Sequence, residues 1–150
     1  MALTSQPSAG SYLMPSLEHA TVADAMHPGI IACDPDLPVV EVARMMATKH
    51  VHCVAVIGVS HKDPACAVWG LISDLDLVRA AVERESGLTA RELAGEPLVT
   101  VDPRTPLRQA AMIMLKQPAS HLIVVEAETE RPIGILSTLD VAGVLGWGEA

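Results

Sequence analysis

The sequence predicts a mixed α/β fold in which two similar units follow each other along a chain of 150 residues. Residues 70–76 read GLISDLD and residues 134–140 read GILSTLD, so both fit the pattern Gly-apolar-apolar-Ser-x-x-Asp. Each pattern ends a series that begins with an Asp-Pro pair and continues through a helix-like segment and two apolar runs. Because such a duplication indicates a repeated supersecondary unit, we expect an α/β (α+β) architecture of two short sheets with flanking helices.

The composition limits the classes of function. Half of the residues are apolar but phenylalanine is absent, so the core must be built from aliphatic side chains and methionine. The net charge of −8 argues against binding to nucleic acid, which requires a basic surface, and against attraction to anionic membranes.

The cysteines and the N-terminal residues predict a cytoplasmic protein. Cys33, Cys53 and Cys66 form no CxxC pair and are odd in number, as expected for reduced thiols rather than a disulfide framework. Residues 1–20 contain neither lysine nor arginine and no long apolar run, so they do not read as a secretory signal. No apolar stretch approaches the roughly 18 residues of a membrane span.

The first elements of each unit are a short helix and a short strand. Residues 1–18 are rich in Ser, Pro and Gly and are predicted to form a flexible tail, followed by one unit at 19–86 and a second at 87–150. Thr21 and Thr89 are suited to cap short helices that end near Met26 and Ala94. Apolar segments at 30–32 and 98–101 then predict one short strand in each unit.

A longer amphipathic helix follows in each unit. The spacing of apolar residues predicts helices from about Pro38 to Lys49 and from about Pro106 to Lys116. Thr105-Pro106 is a typical start, because proline fits the first turn, where no backbone N–H is required.

A hairpin and a final helix complete each unit. Residues 53–57 are expected to pair with 67–72, and residues 122–125 with 132–136, before helices over 74–84 and 138–145. The strands are continuously apolar, which predicts sheets covered on both faces. Units of about 60 residues bury little surface alone, so we expect them to pack through their sheets, with pseudo-two-fold symmetry and one shared core.

This order of elements resembles the cystathionine-β-synthase (CBS) domain, two copies of which form a Bateman module. The resemblance covers about residues 20–146 and rests on four landmarks in each half: the leading helix (Asp24-Ala25-Met26 in the first), the Asp-Pro pair, the apolar strand and the Gly-x-x-Ser-x-x-Asp motif. It implies a stand-alone regulatory binding module without catalytic activity.

The resemblance also implies a ligand and its contacts. CBS pairs commonly bind AMP, ADP, ATP or S-adenosylmethionine between their two units, and the Ser and Asp of the motif contact the ribose. The matching ribose positions are Ser73, Asp76, Ser137 and Asp140, and the adenine pocket would be lined by Ile30, Ile31, Leu71, Leu98, Val99 and Ile135.

The departures from the family pattern predict weaker phosphate contacts than in much of the family. Histidines stand before both hairpins, His52 and His121, where other members often carry arginine, and we interpret them as equivalent phosphate-contacting positions. An imidazole is only partly charged at pH 7, Asp74 would repel phosphate, and Arg79 is the basic residue suited to compensate.

Several interpretations stay open from the sequence. Ser-x-x-Asp at a helix start is also a capping-box pattern, and a structural or solvent-facing role is the main alternative for the two histidines. The histidines and cysteines around residues 50–66 match no compact zinc motif. The function predicted is a sensor of an adenosine-containing ligand, acting through a homodimer or an unidentified target protein; the alternative is an interaction scaffold with empty clefts.

Overall fold

The computed structural model describes residues 14–58, 67–83, 87–94 and 99–149, which form six helices and seven strands. The helices are α1 (Val22–Ala25), α2 (Val39–Lys49), α3 (Asp74–Val82), α4 (Ala90–Leu93), α5 (Leu107–Lys116) and α6 (Thr138–Trp147). The strands are β1 (His27–Pro28), β2 (Ala32–Cys33), β3 (Cys53–Gly58), β4 (Ala67–Ser73), β5 (Thr100–Val101), β6 (His121–Val125) and β7 (Pro132–Ser137). The predicted helices and hairpins are therefore confirmed, with ends that differ by one to two residues, apart from residues 84–86, which lie outside the described part.

Two sheets form, and each is built around one of the predicted hairpins. The first has the order β2-β3-β4 and the second the order β1-β7-β6-β5. In each sheet the short strand pairs in parallel with the first strand of the hairpin, and the hairpin strands are antiparallel. The mixed α/β class is thus confirmed.

Strand β1 is an addition that the sequence did not predict. It comes from the first repeat but pairs antiparallel with β7 of the second, with His27 opposite Ile135 and Pro28 opposite Gly134. A two-residue strand that contains proline carries almost no local signal, because proline cannot donate to a ladder.

The leading helix of each repeat packs on the other repeat. Val22 of α1 is fully buried with Leu107 and Leu136 of the second repeat, and its N–H donates to the Thr105 carbonyl at 2.9 Å. Ala90 of α4 is fully buried in the cluster of the first repeat, and its N–H donates to the Leu37 carbonyl at 2.8 Å. The repeats exchange these helices and are not self-contained in space.

The apolar residues form two clusters rather than the single shared core expected from the sequence. One cluster covers the second sheet and the other covers the first. Ala55 and Ile123 are fully buried but belong to neither cluster. Since neighbouring strand residues point to opposite faces, these two lie on the faces turned away from the clusters, and both faces of each hairpin are covered, as predicted.

The N-terminal part of the described chain is packed onto the apolar cluster that covers the second sheet. Met14 and Leu17, within the predicted tail, contact this cluster, and Pro15 forms a parallel bridge with Glu149. These two residues of the predicted tail are therefore packed, and residues 1–13 of that tail lie outside the described residues. Among the described residues, no helix is long and apolar enough to cross a membrane.

Candidate functional site

A cleft of about 830 Å³ lies between the two repeats. One wall comes from β1 and the segment after it, together with the end of β7 and the start of α6. The opposite wall comes from residues 50–53 and the start of α3. The cleft brings together seven of the residues singled out from the sequence: Ile30, Ile31, His52, His121, Ile135, Ser137 and Asp140.

The remaining candidates lie elsewhere. Ser73, Asp76, Leu71, Val99 and Arg79 do not line this cleft, and Leu98 lies outside the described residues. Asp76 is related to Asp140 by the repeat, so these residues belong to a second, pseudo-symmetric position.

Asp140 is held by the helix start that it caps. Its Oδ2 accepts from the Ser137 backbone N–H at 2.7 Å and from the Ser137 hydroxyl at 3.0 Å. The Asp140 N–H donates back to the hydroxyl of Ser137 at 3.2 Å, which completes a capping box. The Asp140 side chain is only 6% exposed, so its second oxygen, Oδ1, is the atom left for other partners.

Asp76 repeats this arrangement with a more open carboxylate. Its Oδ2 accepts from the N–H and hydroxyl of Ser73 at 2.8 and 3.0 Å. Its Oδ1 lies 3.8 Å from a guanidinium nitrogen of Arg79, one turn further along α3. Both motifs therefore form capping boxes, one of the two interpretations open from the sequence.

His27 is a site residue that the sequence did not indicate. Its Nδ1 lies 2.8 Å from Oδ1 of Asp140, while its side chain is 78% exposed. The contact exists because β1 crosses onto β7, directly before α6. Since β1 left no local signal, nothing in the sequence could have paired His27 with Asp140.

The two predicted phosphate histidines are not equivalent, which corrects the interpretation from the sequence. The His52 carbonyl accepts from the N–H of Asp74, whereas it is the Ser120 carbonyl that accepts from the N–H of Thr138. In the hairpin ladders Cys53 is opposite Ser73, and His121 is opposite Ser137. His52 thus corresponds to Ser120, and His121 to Cys53: the residue types match one position out of register.

The histidines differ in charge environment as well. His52 Nδ1 lies 3.0 Å from Asp74 Oδ2 at the exposed mouth of the cleft, and this hydrogen bond holds the pKa of Asp74 below its usual value. Burial lowers the pKa of His121, although the carboxylates of Asp74 and Asp140 act in the opposite direction. His121 therefore lies between carboxylates of both repeats and is mainly neutral at pH 7.

The cleft is also lined by the buried thiol of Cys53. Cys53 is 7% exposed, and burial, reinforced by the charges of Asp76 and Asp74, raises its pKa to about 12. Thiolate is the nucleophilic and metal-binding form, so Cys53 acts as a small apolar side chain. Within the described ranges, no group of three or more His, Cys, Asp or Glu side chains is arranged to hold a metal ion.

The exchanged helices, paired sheets and cleft define a tandem-repeat module with a ligand-sized cavity between its repeats. A family model described as the CBS domain matches residues 22–83 and again residues 90–146. The chain belongs to the CBS domain family and consists of a tandem CBS pair. Proteins of this kind are generally regulatory rather than catalytic. A comparison with curated proteins found no match.

Solved structures of CBS domain proteins share the fold. The CBS domain pair of protein MJ0100, in complex with 5′-methylthioadenosine and S-adenosyl-L-methionine, has a TM-score of 0.72 at 20% identity, over 85% of this chain and 96% of that chain. The CBS-domain protein ATU1752 from Agrobacterium tumefaciens has a TM-score of 0.73 at 20% identity, over 90% and 98%. CBSX2 in complex with AMP has a TM-score of 0.65 at 26% identity, over 82% and 93%.

Proposed function

We propose that this protein is a regulatory module that binds an adenosine-containing ligand, an adenine nucleotide or S-adenosylmethionine, in the cleft between its CBS repeats. The observation that carries the proposal is the convergence of Ser137 and Asp140 with three isoleucines in one cavity. Solved CBS pairs in complex with AMP, 5′-methylthioadenosine and S-adenosylmethionine support the ligand class.

The ribose is assigned to Asp140. Because Ser137 already holds Oδ2, the ribose diol would approach Oδ1 and replace the exposed imidazole of His27. A carboxylate forms stronger hydrogen bonds to hydroxyl groups than a neutral acceptor does. The adenine would then lie against Ile30, Ile31 and Ile135, three half-buried aliphatic side chains of the same wall.

A second ligand position is assigned by the repeat. Ser73 and Asp76 would contact its ribose, and Leu71, Leu98 and Val99 its adenine. Arg79 is the proposed phosphate contact there, since its guanidinium is near Asp76 and remains 60% exposed. His52 and His121 are the proposed contacts to a phosphate or another 5′ group in the cleft at Asp140.

The signal is proposed to pass through a homodimer to a target protein in the cytoplasm. Helix α3 presents Leu75, Val78 and Val82 to solvent, each more than half exposed and spaced along one face. Leu139 and Leu145 of α6 are exposed to a similar extent. A ligand that favours one arrangement of the repeats would shift this contact, because differential affinity drives the change.

A second candidate function is an interaction scaffold with empty clefts. The specific observation in its favour is that Asp76 and Asp140 already have hydrogen-bond partners in their capping boxes. Carboxylates satisfied in this way explain the duplicated motif without any ligand.

Thermal unfolding of nucleotide-stripped protein distinguishes the two functions. The panel contains adenosine, AMP, ADP, ATP, S-adenosylmethionine, NAD and GTP. A ligand at 100 times its Kd adds about 2.7 kcal/mol, which raises Tm by roughly 5–10 °C for a chain of this length. A shift for adenine compounds alone supports the sensor, and the absence of any shift supports the scaffold.

A matched pair of variants separates ribose binding from capping. Asp24 makes the same capping contacts to Thr21, at 2.8 and 3.0 Å, but does not line the cleft. Asp24→Asn and Asp140→Asn should both lower Tm slightly, by weakening a cap. Only Asp140→Asn should also abolish the ligand-induced shift; equal shifts in both variants would refute the ribose assignment.

A further inference from the structure

Two carboxylates face the cleft from opposite repeats. Asp140 caps α6 on the wall proposed to hold adenosine, and Asp74 begins α3 on the wall across from it. Both act electrostatically on His121, which lines the same cleft. The sequence placed Asp74 beside its own repeat's motif; the fold places it in the cleft that holds the motif of the other repeat.

Among the described residues that line the cleft, the basic side chains that face these carboxylates are all histidines. They are His27, His50, His52 and His121. His27 is in contact with Asp140, His52 is in contact with Asp74, and His121 is desolvated. No lysine or arginine is found among these described lining residues, so no fixed positive charge offsets the two carboxylates.

The 5′ substituent of a bound adenosine would extend towards Asp74. With the ribose at Asp140 and the adenine against the isoleucines, the polar side chains left on the second repeat are Ser120, His121 and Thr138. Those on the opposite wall are His50, His52 and Asp74, and Asp74 is the one carboxylate among these six lining residues. The Asp74 side chain is 60% exposed, so its field is weakened by water but not removed.

We propose that Asp74 is a specificity-determining residue, through which the cleft selects adenosyl ligands whose 5′ group is neutral or cationic, such as a thioether or a sulfonium, over 5′-phosphates. The inference rests on the proposed function and states which members of that ligand class bind. A phosphate monoester carries a charge of nearly −2 at pH 7.5, whereas a sulfonium is attracted to the same carboxylate.

The second repeat supports the role of position 74. Thr138 is the first residue of α6, as Asp74 is of α3, and both line the cleft. The N–H of Asp74 donates to the carbonyl of His52, and the N–H of Thr138 donates to the equivalent carbonyl of Ser120. The fold therefore accepts an uncharged side chain at this position, and the acidic one is particular to the wall that faces the Asp140 site.

Calorimetric titrations at pH 7.5 test the proposal. Adenosine, 5′-methylthioadenosine, S-adenosylmethionine and AMP are titrated into the wild type, Asp74→Asn, Asp74→Thr and Glu83→Gln. Glu83→Gln is the control. Glu83 is the C-cap residue of α3, about 13 Å along the helix from Asp74, so this substitution removes the same charge outside the cleft.

We expect the wild type to bind the thioether and the sulfonium more tightly than AMP. Both substitutions of Asp74 should strengthen AMP binding by roughly three- to tenfold and weaken S-adenosylmethionine binding by a similar factor, as for one partly screened unit charge. Adenosine and 5′-methylthioadenosine should change less than about twofold, and Glu83→Gln should behave as the wild type.

Two results would overturn the inference. If adenosine binds but AMP binds at least as tightly, or if neither Asp74 variant changes the ratio of AMP to adenosine affinity, Asp74 does not select and the proposed function stands. If no adenosyl compound binds the wild type, both the selectivity and the proposed function fail.

Discussion

Replacing Gly134 by alanine should push β1 away from β7 and open the candidate site. A Cβ at Gly134 would lie 2.5 Å from the His27 carbonyl oxygen and 3.0 Å from the Met26 sulfur. Non-bonded heavy atoms are most stable at about 3.5–4.0 Å, so β1 must retreat by about 1 Å. The glycine of the duplicated motif is thus needed here because another backbone crosses directly over it.

The cost follows from the contacts that this retreat breaks. The Gly29 N–H donates to the Ile133 carbonyl at 2.9 Å, and a retreat of about 1 Å exceeds the upper limit for such a bond. One lost hydrogen bond costs about 0.5–1.5 kcal/mol, and overpacking a further 1–3 kcal/mol. We expect the free energy of unfolding to fall by about 2–4 kcal/mol.

The matched control is Gly143→Ala in α6. A Cβ at Gly143 meets no atom within 4 Å, so the substitution should stabilise the helix by about 0.8–1 kcal/mol. Urea unfolding of both variants, followed by titration with adenosine, measures the two effects. The reasoning is refuted if Gly134→Ala is as stable as the wild type, or if both variants move in the same direction.

Three further predictions concern ionisation and packing. Burial lowers the pKa of His121 in the folded state, so the unfolded chain binds a proton at this residue more readily, and the free energy of unfolding should decline as the pH falls below about 6.5. Urea unfolding across pH 5–8 should show a shallower decline for His121→Gln than for the wild type. An equal decline would contradict the assignment to His121. In a variant with the other two cysteines changed to serine, Cys53 should react with a disulfide reagent at pH 8 far more slowly in the folded protein than in guanidinium, because burial raises its pKa to about 12. Equal rates in the two conditions would show that the Cys53 thiol is not protected by burial. Leu107→Ala, at a fully buried position, should cost about 2–5 kcal/mol in urea unfolding, whereas Leu115→Ala, at a position 82% exposed, should change stability by less than about 0.5 kcal/mol.

Local chemistry explains why much of the fold could be predicted. The helices α2 and α5 combine a regular apolar face with proline at the cap, and the strands of the hairpins are continuous apolar runs in the sequence. The Ser-x-x-Asp motifs begin helices because hydroxyl and carboxylate satisfy free backbone N–H groups within three residues. Each of these signals is contained in a short segment.

Features that depend on distant partners could not be predicted. The pairing of β1 with β7, and hence the contact of His27 with Asp140, joins residues more than one hundred positions apart. The histidines were aligned by residue type, whereas the ladder aligns Cys53 and His121 through their backbone partners. A single shared core was predicted from the small size of each unit. The duplication gives no sign that α1 and α4 pack on the opposite repeat, as they do in the structure.

The exchange of the leading helices makes the two repeats mechanically interlocked. Neither repeat can separate from the other without withdrawing a helix from its neighbour's apolar cluster, where Val22 and Ala90 are fully buried. The chain should therefore lose its structure in a single cooperative step, and its two halves should be unable to fold as independent fragments.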